Sequence, residues 1–429
     1  MSESDPFDQA LAPPGLLALD LEPLAHEYGT PLFVYDEDDL RRRCREYVTH
    51  FGEGNVAYAS KAFLCRAMVH LVHEEGLHLD VATGGELHVA LRSGFPPERL
   101  VLHGNNKSNE ELSAALDAGV GRIVADSFDE LDRLEALAAD RGVSPRVLVR
   151  VTPGVEAHTH VFIETGTEES KFGFTVTGGV ALAAARRVVE SPALAFAGLH
   201  SHIGSQIYVL ESYRRAVEIV VGLAVAIAAT TGATVDELNV GGGLGVRYLL
   251  DDPQRDVAQY AKALQGALDD ACTAARMATR PRLMVEPGRS IAAPAAVTVF
   301  RVGTVKRIPD GPTYVAVDGG MSDNPRPVLY GAGYEAYLPA RIDAPRPLVA
   351  SIAGKHCEQG DIIVADAHLP ATVAVGDLLV VPVTGAYGYS MASNYNKVPR
   401  PAVVFVRNGQ ARVVVRRETL DDLLRLDRD

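Results

Sequence analysis

The sequence predicts an α/β protein in which a (β/α)8 TIM-type barrel is joined to a C-terminal, mostly antiparallel β domain. Three observations lead there. Eight short β-type runs alternate with stretches of helical periodicity over the first two thirds of the chain. The polar motifs fall just past the ends of those runs. After about residue 290 the texture changes to alternating, β-rich runs with few helical stretches. Strands that alternate with helices build parallel sheets. Eight such units over about 250 residues fit a closed barrel better than an open doubly wound sheet. The expected boundaries are an N-terminal segment, 1–30, packing with the β domain; a barrel, 31–290; and a β-barrel or sandwich domain, 291–429.

The eight runs are NVAYA (55–59), LHLDV (77–81), RLVLH (99–103), RIVAD (122–126), RVLVRVT (146–152), FAGLHSH (196–202), DELNV (236–240) and RLMVE (282–286). Between them, NEELSAALDAGV (109–120) and SFDELDRLEALAADRG (127–142) carry apolar residues at helical spacing. Ser127 with Glu130 three residues on reads as a capping box, and Gly142 as a C-cap. In the second domain AAVTVFRVGTVKRI, TYVAVDGG, DIIVADA, DLLVVPV, AVVFVRNG and ARVVVRR read as strands. The closing ETLDDLLRLDRD reads as a short amphipathic helix.

With 429 residues, 47% of them hydrophobic, the chain can bury large cores in two or three domains. Its net charge of −14 argues against nucleic acid or an anionic membrane as partner. Cys44, Cys65, Cys272 and Cys357 stand far apart with no CxxC pair, which disfavours a disulfide framework or a structural zinc and suits a reducing compartment. The start, MSESDPFDQALAPPG, lacks the basic and apolar regions of a signal peptide, and apolar runs such as Ile219 to Ala229 are too short to span a bilayer. A cytoplasmic protein is expected.

Chemistry in such a barrel sits at the C-terminal ends of the strands. After the first run comes YASKAF with Lys61, which burial could turn into a nucleophilic amine, although a lone lysine is more often a surface residue. After the second, DVATGGEL offers Asp80 and a glycine pair. After the sixth, HSHIGSQ carries His200, His202 and Ser205; two histidines at i, i+2 share a face, but with no third ligand nearby a stacked or core role is the better reading than a metal. After the seventh, GGGLG (241–245) exposes backbone for an anion, in the place where such barrels hold phosphate. After the eighth comes EPGRS with Glu286 and Arg289. HGNNKS (103–108) lacks P-loop spacing, and there is no GxSxG elbow.

A lysine, a phosphate cradle, a flat aromatic and a carboxylate at one mouth match the needs of pyridoxal 5'-phosphate. A lysine holds the aldehyde as a Schiff base, glycines hold the phosphate, and a carboxylate keeps the pyridine nitrogen protonated.

With these motifs, and with MSDNPRPVLYGAGY, CEQGD and GAYGYSMASNYN following in the same order, the chain resembles the diaminopimelate decarboxylases, among the fold-type III pyridoxal-phosphate decarboxylases. The likeness runs from PLFVYD to NYNKVPRPAVV. It implies a barrel joined to a β domain, and a homodimer whose active sites are completed by the partner chain. It implies Lys61 as the Schiff-base lysine, with Asp80 in the cofactor pocket, His202 stacked on the ring and Glu286 paired with the pyridine nitrogen. Ser205, Gly243, Gly288 and Arg289 would sit at the phosphate. Arg289, Arg326 and Tyr330 would hold the substrate's distal carboxylate region, and Tyr387 would lie near phosphate and substrate. Cys357 and Glu358 would come from the other subunit, the thiol giving a proton to Cα and Glu358 holding the distal ammonium; His356 reads as structural. No metal is expected.

The implied reaction is decarboxylation of meso-2,6-diaminopimelate to L-lysine and carbon dioxide, the last step of lysine biosynthesis. Arg326 suits a distal carboxylate that ornithine, arginine and carboxynorspermidine decarboxylases do not need to hold, and ETGTEESKFGF (164–174) resembles the loop shaping the family's substrate pocket. An inactive regulatory paralogue would have lost Lys61 or Cys357, and a racemase would use a tyrosine in place of Cys357. GGMSDNP without bulky apolar residues, Pro294 in IAAP and Gln359 in CEQGD depart from the usual pattern without removing a charged or nucleophilic group.

Overall fold

The structure is a computed structural model describing residues 11–155 and 170–428. It divides into two compact units. One comprises Cys44–Gly245 and Arg255–Gly288; the other comprises the chain up to Arg43, Val246–Gln254, and the chain from Arg289 onward.

The first unit is the barrel. Its strands are Ala57–Ala59, His78–Val81, Leu100–Leu102, Arg122–Ala125, Arg146–Thr152, Ala195–Ser201, Glu237–Asn239 and Arg282–Met284. Each pairs in parallel with the next. The ring closes through the parallel bridge Val56–Val285, with the Ala57 N–H donating to Val285 at 2.9 Å. All eight expected runs are therefore strands. A two-residue strand, Phe174–Thr175, adds to the fifth. Ala57, Val101, Val124, Leu148 and Ala197 form one buried apolar cluster contributed by five of the strands.

Helix starts follow local chemistry. Ser108 and Glu111 make a full capping box at the head of Asn109–Ala118. Ser127 caps Phe128–Arg141 by accepting the Glu130 N–H at 3.2 Å. The Glu130 carboxylate does not return the bond; it takes the Asp126 N–H at 3.2 Å and the Lys107 ammonium at 2.7 Å. The box expected there is half made because a buried cation outbids a backbone donor. Gly142, at φ +64°, closes that helix in the left-handed conformation.

The second unit holds one eight-stranded sheet. Its spatial order is Ile362–Leu369, Leu348–Ala353, Thr313–Val317, Ala296–Arg307, Leu32–Asp36, Ala402–Arg407 and Gln410–Val415, with Leu378–Pro382 also paired to Ala296–Arg307. Most pairs are antiparallel; Leu32–Asp36 runs parallel to Ala402–Arg407, and Thr313–Val317 parallel to Leu348–Ala353. The barrel boundary expected at residue 31 is corrected here. Leu32–Asp36 is a central strand of this sheet, buried along its whole length. Residues 246–254 also belong to this unit. Leu16, Leu21 and Leu24 from the N-terminal segment pack into one core with Val34, Val297, Val380 and Val404.

The C-terminal helix expected over ETLDDLLRLDRD is a single 3-10 turn, Asp421–Leu423, with Leu420, Leu424 and Leu426 exposed at 73%, 61% and 82%. A segment this short needs an apolar surface to pack against before it holds an α-helix. Asp422 instead closes the turn by accepting the Thr419 N–H at 2.8 Å and pairing with Arg416.

Candidate active site

At the barrel mouth the centre is Glu286, just past the eighth strand and buried. One carboxylate oxygen takes the His103 Nε2–H at 2.9 Å and the Asn239 amide at 2.7 Å; the other meets His200 Nε2 at 3.1 Å. These partners come from the ends of the third, seventh and sixth strands, so three strand ends converge on one carboxylate. Burial alone would push this carboxyl up, but His103 and His200 hold it well below the usual range. Burial likewise pulls on His103, yet Asp80 and Glu286 raise it. His200 is held near 4, because burial outweighs its hydrogen bond to Glu286. His103 thus stands between two acids that favour its charged form, and His200 donates to Glu286 through Nε2. Asp80, at the end of the second strand, stands 3.9 Å from His103 and is pushed up to about 6 by burial. The three ligand atoms of His103, His200 and Glu286 lie within 4.8 Å of one another, a spacing set by these hydrogen bonds.

Lys61 stands in the 3-10 turn Ser60–Ala62 directly after the first strand, with an exposed side chain. It lies close enough to Asp80 and His202 to act on both electrostatically. His202 is half-buried, and its Nδ1 accepts the Gly242 N–H at 3.3 Å. Burial, with Lys61 beside it, holds that imidazole neutral well below its ordinary range. Ser205 follows three residues on, in the loop that pairs with the glycine run through Ile207 and Leu244.

The glycine run is bare because nothing else fits. A Cβ on Gly242 would stand 2.1 Å from the Glu286 carbonyl oxygen, and one on Gly243, at φ +105°, 2.2 Å from the Gly204 oxygen. A Cβ on Gly288 would meet Ala59 at 2.9 Å. These residues fit pyridoxal phosphate. Side-chain-free backbone follows the seventh and eighth strands, an ionised buried acid can pair with a protonated ring nitrogen, and a neutral half-buried imidazole offers a flat face. The buried His200 Nδ1 and Ser60 Oγ have no hydrogen-bond partner among the described residues.

The second unit holds a different group. Arg326, at the start of the helix Arg326–Tyr330, is buried. It donates to the Tyr334 hydroxyl and lies 4.6 Å above the Tyr248 ring. Among the described residues no carboxylate pairs with it. Arg289 donates to the Tyr248 hydroxyl at 2.7 Å and lies 4.8 Å over the Tyr387 ring. Two guanidinium groups framed by tyrosine rings and phenols have the charge and fork geometry that can take up an anion. Tyr330 ends the same helix as Arg326, and Tyr334, four residues further on, accepts from the guanidinium. Cys357 and Glu358 are exposed on the loop between Leu348–Ala353 and Ile362–Leu369. Cys44, Cys65 and Cys272 are buried. Residues 164–169 of the expected pocket loop lie outside the described residues.

Residues 37–293 match the family model of the pyridoxal-dependent decarboxylase, pyridoxal binding domain. The diaminopimelate decarboxylase of Mycobacterium tuberculosis is 52% identical over 421 residues, 96% of this chain and 94% of that protein. That of Bacillus subtilis is 47% identical, covering 94% and 92%. Among solved structures, diaminopimelate decarboxylase from M. jannaschii in co-complex with L-lysine superposes with a TM-score of 0.88 at 32% identity, covering 96% of this chain and 94% of that one. The Helicobacter pylori enzyme complexed with L-lysine gives 0.86 at 31%, covering 95% and 99%.

Proposed function

The chain belongs to the pyridoxal-dependent decarboxylases and, within them, to the diaminopimelate decarboxylases, and on that premise we propose how its residues carry the reaction. The reaction is decarboxylation of meso-2,6-diaminopimelate to L-lysine and carbon dioxide. Pyridoxal phosphate, when bound, supplies the electron sink for the pair left at Cα as the C–C bond breaks. When the cofactor is bound, Lys61 would hold its aldehyde carbon, His202 would lie against its ring, and Ser205, Gly243, Gly288 and Arg289, with Tyr387 nearby, would hold its phosphate. Glu286 would keep a proton on the ring nitrogen, and Asp80 favours the charged form of His103 beside it. Arg326, with Arg289 and Tyr330, binds the distal carboxylate. Glu358 takes the distal ammonium, and the Cys357 thiol gives its proton to Cα, to be restored from water. Both would be supplied by the partner in a cytoplasmic homodimer, which suits their exposure here. Among the described residues no helix is long and apolar enough to cross a membrane.

One observation carries this reading most. Glu286 is buried yet held ionised by His103 and His200, with Asn239 completing the frame, at the mouth that also bears Lys61. In cofactor-loaded protein, Glu286→Gln should lower kcat by about 10²-fold or more, as loss of a preorganised charge at developing charge does. A wild-type kcat in that variant would overturn the assignment.

A further inference from the structure

We infer that His356 is a positioning residue for Cys357, acting through the side-chain oxygen of Asn396. The inference rests on the reading of Cys357 as the proton donor. The loop at Gly354–Asp361 is tied at its feet: Gly354 donates to the Asp361 carbonyl at 2.8 Å, and a Cβ on Gly354 would stand 2.1 Å from the Asp361 carboxylate. That carboxylate takes the His356 N–H at 2.9 Å and the Met321 N–H at 2.6 Å. At the loop's crown the Cys357 N–H donates to Asn396 Oδ1 at 3.2 Å. The same oxygen meets His356 Nδ1 at 3.2 Å.

These bonds fix the chemistry of each group. A backbone N–H can only donate, so the Asn396 atom over it is the amide oxygen, and His356 Nδ1 must carry a proton to donate to it. With that proton on Nδ1, the other ring nitrogen, Nε2, meets the Ser322 hydroxyl at 2.8 Å. His356 is buried and packs against the Tyr395 ring at 5.2 Å. Asn396 is exposed and sits at φ +52°, a conformation asparagine tolerates. A buried, twice-anchored imidazole thus holds an exposed oxygen over the cysteine's own amide, fixing where the Cys357 side chain leaves the backbone. Proton delivery to one face of Cα depends on that placement, and a displacement of about 1 Å costs on the order of 10²-fold in rate.

The test uses cofactor-loaded protein with meso-diaminopimelate and four variants. Asn396→Gly keeps the left-handed backbone and removes the oxygen. His356→Ala removes both contacts. His356→Gln can still reach Ser322 but loses the donor to Asn396, while His356→Asn keeps an amide N–H near the place of Nδ1. Asn396→Gly, His356→Ala and His356→Gln should lose about 10-fold or more in kcat. Their KM and cofactor affinity should stay within about twofold of wild type, and the rate of iodoacetamide alkylation mapped to Cys357 should change. His356→Asn should recover most of the rate. Wild-type kcat in Asn396→Gly, losses that follow cofactor affinity or melting temperature, or His356→Asn as slow as His356→Gln would each overturn the inference. Cys357→Ala separates it from its premise. A wild-type rate there sinks the donor role itself, whereas a slow Cys357→Ala beside fast His356 and Asn396 variants sinks only the positioning role.

Discussion

Arg326 is a buried guanidinium whose neighbours are phenols and ring faces, and such a group is stable only where its charge is answered. The tyrosine ring faces answer part of it; a substrate carboxylate would answer the rest in a bidentate fork. Lysine at the same place offers a point charge on a shorter, more strongly hydrated head. Arg326→Lys should therefore lower kcat/KM for meso-diaminopimelate by about 10- to 100-fold, with cofactor loading unchanged, because one charge-assisted fork is worth about 1.5–3 kcal/mol. Steady-state kinetics beside a cofactor titration checks this, and an unchanged kcat/KM would remove Arg326 from the receptor. At this scale the sequence showed the residues whose type announces chemistry, such as Lys61, His202, Glu286 and Arg326. It did not show those that matter through space. His103 lay in a failed P-loop look-alike, His200 read as a core histidine, and Asn239 ended an ordinary strand, yet all three bond to Glu286. Tyr248 and Tyr334 were missed because their partner is an arginine 78 or 8 residues away, and no local pattern marks that.

The elements of the barrel are held by polar devices as well as by its apolar core. Lys107 is 2% exposed, and its ammonium donates at 2.7 Å to each of the Gly104 oxygen, the Val124 oxygen and Glu130. It locks the helix Phe128–Arg141 to the end of the fourth strand. Burial pulls the Lys107 ammonium down and pushes the Glu130 carboxyl up, so each charge depends on the other. Removing one partner of such a pair leaves an unanswered buried charge, at about 3–5 kcal/mol. Lys107→Met should lower the melting temperature by on the order of 10 °C. Adding Glu130→Gln should return most of it, since the stranded charge is then gone. Thermal unfolding of both variants checks the pair; a single variant that melts with wild type would show that the lysine carries no such role. The strands themselves were legible because each is a short apolar run bounded by polar or glycine residues. The membership of Leu32–Asp36 was not. Five consecutive buried residues look alike in either sheet, and only pairing with Ala296–Arg307 and Ala402–Arg407, some 260 to 370 positions away, assigns them.

At the scale of the molecule the chain builds a parallel barrel whose strand ends gather Lys61, Asp80, His202 and Glu286, and a β unit that gathers Arg289, Arg326 and Tyr387. The barrel was predictable from its period. The discontinuity of the β unit was not, because it is assembled from both ends of the chain and from residues 246–254. Centrally, this protein removes one of the two carboxylates of meso-diaminopimelate as carbon dioxide and leaves lysine. The most direct measurement incubates purified, cofactor-loaded protein separately with meso-diaminopimelate, ornithine, arginine and lysine, and follows carbon dioxide and the amine or amino acid formed. Lysine and carbon dioxide in equal amounts from meso-diaminopimelate alone is the predicted result. Turnover of another diamino acid in preference to it, or a loaded protein that releases no carbon dioxide from it, would contradict the account.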